Sequence, residues 1–456
     1  VVCKLVQVNR LLARRSDDDI ANRLAVAEKS TSTVISLLTA ISSMYLVLRG
    51  KEKEGAYFSL LALHLTLKDG LSPYSPFAFA TYAAMQMTLG KYDKAVRYGK
   101  LAMKIGKVHG RNEVDLVVIV TSLVSHWSQT VGNVAERLDQ SVMKGFHCGD
   151  LTPGVAVPLW FHLLAGEHLG EMERLHRSFH STIRDLQSDD TATLWMLPSY
   201  QYILNLRSEN ASSWRNLTEL TGDIMIESAY VVRALEATAD TLWTILWTYK
   251  LQLEFHFGFH SAAEKTFENL KPYVLTTALS YHMHAMMIAA FIGSLNFYAQ
   301  SRERMQKHYL RKARRYKRHI EKLKIGSRPN ILPLIAILEA EDLSHQERID
   351  PELLAWHFDK AIAVNATVGF VHMEALANER AGFAFGHRGD WQRAEVFFER
   401  AISLHANEWG AKNKAAWLRE KSEQMIKRLK KDDARADSAQ GFSVDTIQLS
   451  PDHQPH

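Results

Sequence analysis

Between residues 391 and 405 the apolar side chains Ala394, Phe397, Phe398, Ala401 and Leu404 recur at intervals of three and four, and His405 joins them. Arg393, Glu395, Glu399 and Arg400 mostly fall elsewhere on the wheel. That period defines a helix with one buried face. Upstream, Leu376, Ala381, Gly382 and Phe385 form a second face, rich in small residues that let two helix backbones approach closely. Gly389-Asp390 lies between them. Glycine is suited to closing one helix, and aspartate to capping the next. The pattern predicts a tight helical hairpin.

The same spacing recurs. Phe79, Tyr82-Ala83, Gly90, Tyr92, Ala95 and Ala102 occupy equivalent slots in 76–106, with Gly99 where the second helix would carry an aromatic. Trp247, Gly258, Ala263 and Phe267 fit in 242–273, whereas Leu251 and Glu254 do not. The set Ala381-Gly382, Phe385, Gly389, Trp391, Ala394, Phe398 and Ala401 resembles the tetratricopeptide repeat (TPR), in which small residues and aromatics interlock two helices. The usual tryptophan near the start of the first helix is Asn378, and the late proline is missing. The intervals between matches are irregular, so the array is degenerate.

Other windows read as helices too. Residues 55–69 are apolar on one face, 116–150 and 153–187 look like pairs, the second turning at Gly170, and 351–385 breaks around Val368-Gly369. No run alternates as a strand would. The expected fold class is all-α, a degenerate TPR-like right-handed α-solenoid of stacked helical hairpins, since one hairpin cannot bury its apolar face alone. The expected organisation is a lead-in over 1–30, the solenoid over 31–429 with a capping helix at 411–429, and a disordered tail or linker over 430–456, where the sequence turns polar and aperiodic.

Composition narrows the classes. The 456 residues are too many for one ordinary core, and 11 prolines and 23 glycines are few enough to suit long helices. A net charge of +5 does not call for nucleic acid, so nucleic acid is not an expected partner. Cys3 and Cys148 are the only cysteines, which excludes a disulfide framework or a cysteine zinc cluster. A reducing, cytoplasmic setting is expected, and the N-x-S/T triplets at Asn210, Asn216 and Asn365 are the kind that arise by chance. The apolar windows 33–48 and 285–299 fall short of the roughly 20 residues a membrane span needs. The chain opens on Val1 without the form of a signal peptide, which suggests a segment of a longer product.

The wording of 374–421, and above all Trp409-Gly410-Ala411-Lys412 after the final hairpin, resembles the last repeat in a family of very large signalling ATPases. Residues 75–105 and 125–151 resemble earlier parts of the same region, in the right order, so the likeness covers roughly 30–425. Such proteins join a kinase-like domain, a signal-transduction ATPase module, a long TPR-like region, and often a GAF domain with a sensor histidine kinase or cyclase. The resemblance implies a regulatory middle segment whose catalytic parts lie outside it.

Motifs for chemistry do not appear. There is no P-loop glycine-lysine cradle, no strand followed by G-x-G-x-x-G, and no H-E-x-x-H, H-R-D or D-F-G set. His256 and His260 stand four apart, and His282 and His284 two apart, but neither pair has a carboxylate or cysteine at ligand spacing. No catalytic residue, metal ligand or cofactor is therefore assigned. Residues 302–324 hold eleven Lys/Arg against two Glu. Three readings fit that run: a solvated helix face, a dock for an acidic partner, or a surface for nucleic acid or anionic membrane. A TPR register would line the inner groove with first-helix positions, giving Glu379, Phe383 and His387 as partner contacts. The function expected is a non-catalytic interaction or regulatory scaffold with protein or peptide partners, other domains of the same parent among them. The alternatives are a stand-alone adaptor and a metal-dependent enzyme built on the histidines.

Overall fold

The computed structural model describes residues 1–47, 52–109, 113–148, 156–185, 190–207, 213–237, 240–270, 291–297, 303–323 and 328–441. His282 and His284 lie outside them. The regular elements among the described residues are helices, with no strand; the nearest approach is an isolated parallel bridge between Val26 and Leu71. No described helix is long and apolar enough to cross a membrane.

The helices run α1 (Val2–Ala13), α2 (Lys29–Val47), α3 (Glu52–Asp69), α4 (Ser75–Thr88), α5 (Tyr92–His109), α6 (Glu113–Leu123), α7 (Val131–Cys148) and α8 (Val157–Ala165). They continue with α9 (Leu169–Asp185), α10 (Asp190–Arg207), α11 (Glu227–Glu236), α12 (Asp240–His256) and α13 (His260–Leu270). After a helical stretch at 291–297 come α14 (Glu303–Leu323), α15 (Arg328–Ser344), α16 (Pro351–Val368), α17 (Val371–Gly386), α18 (Trp391–Ser403) and α19 (Lys412–Gly441). Most partners are neighbours in sequence: α2 with α3, α4 with α5, α12 with α13, α15 with α16 and α17 with α18.

The three hairpins read from spacing are present, and each turns on a glycine at positive φ: Gly90 at 70°, Gly258 at 75° and Gly389 at 84°. Gly369, at 81°, likewise closes α16 where the break was expected. The pair at 157–185 turns at Gly166, with φ of 83°, and Gly170 lies inside α9. Gly99 stands in for an aromatic because the end of α6 occupies the space: a Cβ there would come within 3.3 Å of Val120 and 3.2 Å of Val124. Helix α19 extends to Gly441, past the expected onset of the tail. Trp391 ties it down, donating Nε1–H to Asp433 at 3.1 Å while the Lys430 ammonium sits 4.5 Å from its ring centroid.

Among the described residues two large hydrophobic cores stand beside a small third cluster of Val142, Ile183 and Ala192. One gathers residues from Val8 to Trp127, the other residues from Val114 to Ile426. Helix α6 serves both, giving Val114 and Val118 to the larger core and Leu116 and Val120 to the smaller.

Contacts also join distant parts. The Asn330 amide, at the start of α15, accepts from the backbone N–H of Val131 at 3.1 Å and donates to the carbonyls of His126 and Gln129 at 2.6 and 2.8 Å. Helix α19 packs on α10, where Asn413 donates to the Asn205 carbonyl at 2.8 Å. A stack in which each unit touches only its neighbours makes no such contacts.

Candidate functional site

The final hairpin assembles as its small residues dictate. Asp390 caps α18 by accepting from Arg393 N–H at 3.1 Å. A Cβ on Gly382 would lie 2.7 Å from the Phe398 ring, so only glycine lets the helices meet this closely. Every residue of α17 from Met373 to Gly382 is buried, because helices crowd it on all sides.

That burial relocates the expected contacts. Glu379 is 5% exposed and lies in the interior, not on an open groove. Its Oε1 accepts from the Lys414 ammonium at 2.8 Å, and its Oε2 accepts from His405 Nε2–H at 3.3 Å. Phe383 is half-buried, edge-on to Phe398 with centroids 5.0 Å apart, and the Arg380 guanidinium sits 5.6 Å from its ring centroid. His387 alone of the three is exposed. The TPR register assigned Glu379 to an open groove, and the structure places it in the interior instead. What spacing could not show is that α19 and the turn at 404–408 fold back over that face.

A buried polar knot results. Lys414, 1% exposed, also donates to the His256 carbonyl at 2.6 Å, and its ammonium lies 3.9 Å from the Trp417 ring centroid. Burial disfavours the Glu379 carboxylate, but Lys414 and His405 outweigh it and hold its pKa down at about 2. Burial lowers Lys414, and Glu379 opposes that shift. One residue along α17, Arg380 faces away from this pair and forks onto Glu341 at 2.6 and 3.0 Å, joining α17 to α15.

Trp409 is the centre of the knot. The rings of His256, His372 and His405 surround it at centroid distances of 5.5 to 5.7 Å. Its carbonyl accepts from Leu169 N–H at 2.7 Å, and the next residue, Gly410, has φ of 81° with no room for a Cβ beside His168. The Trp-Gly-Ala-Lys segment therefore docks the C-terminal helices onto α9 and α12. Burial pushes His372 down to about 3 and His256 well below the ordinary histidine value, so these imidazoles are neutral. His256 ends α12 and His260 begins α13, across the Gly258 turn. No group of three His, Cys, Asp or Glu among the described residues could hold a metal ion.

An open groove of about 820 Å³ lies on the other side of the last hairpin, between α18 and α19. Phe398, Ile402 and Ile426 give it an apolar lining. Glu395 and Glu399 line the α18 wall, and Arg419, Lys427 and Lys430 line the α19 wall, where Glu423 is the one acid. Lys430 bridges to Glu395 at 2.9 Å across one part of it. The sequence hid this groove because its two walls come from a repeat helix and a helix read only as a cap.

No protein-family model matches the chain, and no curated protein matches it.

Proposed function

We propose that this chain is a non-catalytic interaction module that receives an amphipathic peptide in the groove between α18 and α19. The groove carries the reading: its volume lies in the range of binding clefts, and it combines an apolar floor with one acidic and one largely basic wall. A helix laid in it would present an apolar stripe at i, i+3, i+4 and i+7, with cations toward α18 and carboxylates toward α19. The buried knot behind the groove supports the reading, because it fixes the α19 wall to α17 and to the middle of the chain. Within the same proposal, the hairpins form a TPR-like solenoid closed on itself, and the chain serves as the regulatory repeat segment of a larger signal-transduction ATPase or histidine-kinase protein. The resemblance of Trp409-Gly410-Ala411-Lys412 and the two earlier blocks supports that placement.

Peptide display against the purified chain tests the groove, with Ile402→Glu/Ile426→Lys as counter-screen. Enriched peptides should bind the parent and not the variant. Peptides that bind both alike would overturn the groove assignment. Nucleotide turnover or phosphotransfer above a heat-inactivated control would overturn the non-catalytic reading.

A further inference from the structure

Helix α14 resolves the basic run into cations with different surroundings. Ala313, Tyr316 and Ile320 are buried and fix the helix to the core, with Tyr316 edge-on to Phe267 at 5.2 Å. On the flanks, Lys312 pairs with Glu264 and with Glu268, the latter at 3.1 Å, and Lys317 pairs with Asp342. These two lysines are neutralised by α13 on one side and α15 on the other.

The opposite crest is different. Lys307, Arg311, Arg314, Arg315 and Arg318 are all exposed, and none has an ion-pair partner among the described residues. Arg311 and Arg318 donate only to the carbonyls of Lys307 and Arg314, at 3.0 and 3.2 Å. Their spacing places all five on one stripe about 16 Å long. Like charges three and four apart repel, and no acid stands within the stripe: by spacing, Glu303 and Glu321 bracket it, four positions before Lys307 and three beyond Arg318.

The surroundings select the class of anion. An amphipathic membrane helix must bury its apolar face in lipid, but that of α14 is committed to the core. Single-stranded nucleic acid uses exposed aromatic platforms. Tyr309 instead stacks on Phe297 at 5.0 Å and Tyr316 is buried, so the crest offers none. A duplex is a wide polyanion, and the lysines it would meet beside the crest are already paired with Glu264, Glu268 and Asp342. A single acidic helix is narrow enough to follow the crest alone, and its carboxylates match the guanidinium forks.

We propose that the crest of α14 docks an acidic helix of a protein partner, carrying Asp or Glu at i, i+4, i+7 and i+11. The probe is a synthetic, fluorescently labelled helical peptide of about 20 residues with glutamates in that stripe. A peptide of the same composition with the glutamates scattered round the helix is its control. Both are titrated against the intact chain at about 0.15 M salt. The striped peptide should bind about tenfold more tightly than the scattered one. Arg311→Gln/Arg314→Gln/Arg315→Gln/Arg318→Gln, all surface changes, should lose that advantage. Lys91→Gln/Lys94→Gln/Lys100→Gln/Lys107→Gln, with the same charge loss on α5 and the residue before it, should keep it. The proposal is overturned if the striped peptide does not bind, if both peptides bind alike, or if both variants lose equally. Tighter binding of phosphatidylserine–phosphatidylcholine vesicles or a DNA duplex than of the striped peptide also overturns it.

Discussion

At Glu379 two large effects oppose each other. Burying a carboxylate is costly, and only a close, well-bonded cation offsets it. Lys414, at 2.8 Å and itself buried, supplies that cation. Removing one partner strands the other, so Glu379→Ala should destabilise the protein by about 3–5 kcal/mol. Glu379→Gln, which keeps a hydrogen-bond acceptor for Lys414, should cost less. Thermal melts of the two variants check this order. Equal and negligible losses would show that the pair is solvated, as a surface contact would be. Sequence spacing placed Glu379 on a groove-facing position and implied a near-silent alanine substitution. Its partners His405 and Lys414 stand 26 and 35 positions away, and only the fold-back of α19 brings them together.

Helix pairs were the most legible part of the sequence, because small residues and glycine turns carry their own geometry. Gly382 against Phe398 is the clearest case. Gly382→Leu must push Phe398 aside in a close-packed contact, at a cost of about 1–3 kcal/mol. Its melting temperature should fall, while Val396→Ala, on the exposed side of α18, should leave the melt within error of the parent. A Gly382→Leu protein as stable as the parent would show that α17 and α18 do not meet at this register. Element ends were less legible. The reach of α19 to Gly441 depends on Trp391, whose ring and indole N–H hold Lys430 and Asp433. No local propensity in the polar segment after 430 announces that contact.

For the whole molecule, contacts at sequence separations near 200 are what periodicity cannot reveal, since they rest on single residues such as Asn330 and Asn413. They also concentrate buried titratable groups. His176 and His260 are lowered to about 4 and His372 to about 3, each chiefly by burial, and His256 and His405 are lowered too. A histidine with a depressed folded pKa binds its proton in the unfolded chain first. Its contribution therefore begins to fall as pH drops below about 6.5. Each of the three histidines at about 3–4 should cost about 1 kcal/mol between pH 7 and 5.5. Glu254, raised to about 7 by burial, works in the opposite direction over this window. Glu379, depressed to about 2, adds its loss only below about pH 4.5. The net expectation is a melting temperature that falls steadily from pH 7 to 5.5. A flat profile over that range would contradict the burial of these imidazoles.

Native-state hydrogen exchange on the parent and Glu379→Ala, read segment by segment, tests the central claim most directly: that the buried knot locks the C-terminal helices onto the middle of the chain and so holds the groove. Because Lys414 reaches the His256 carbonyl and Trp409 accepts from Leu169, loss of Glu379 should speed exchange in 404–430 and also in 163–172 and 251–258. Residues 29–105, in the separate N-terminal core, should exchange as in the parent. Faster exchange confined to 371–403, with 163–172 and 251–258 unchanged, would contradict the account.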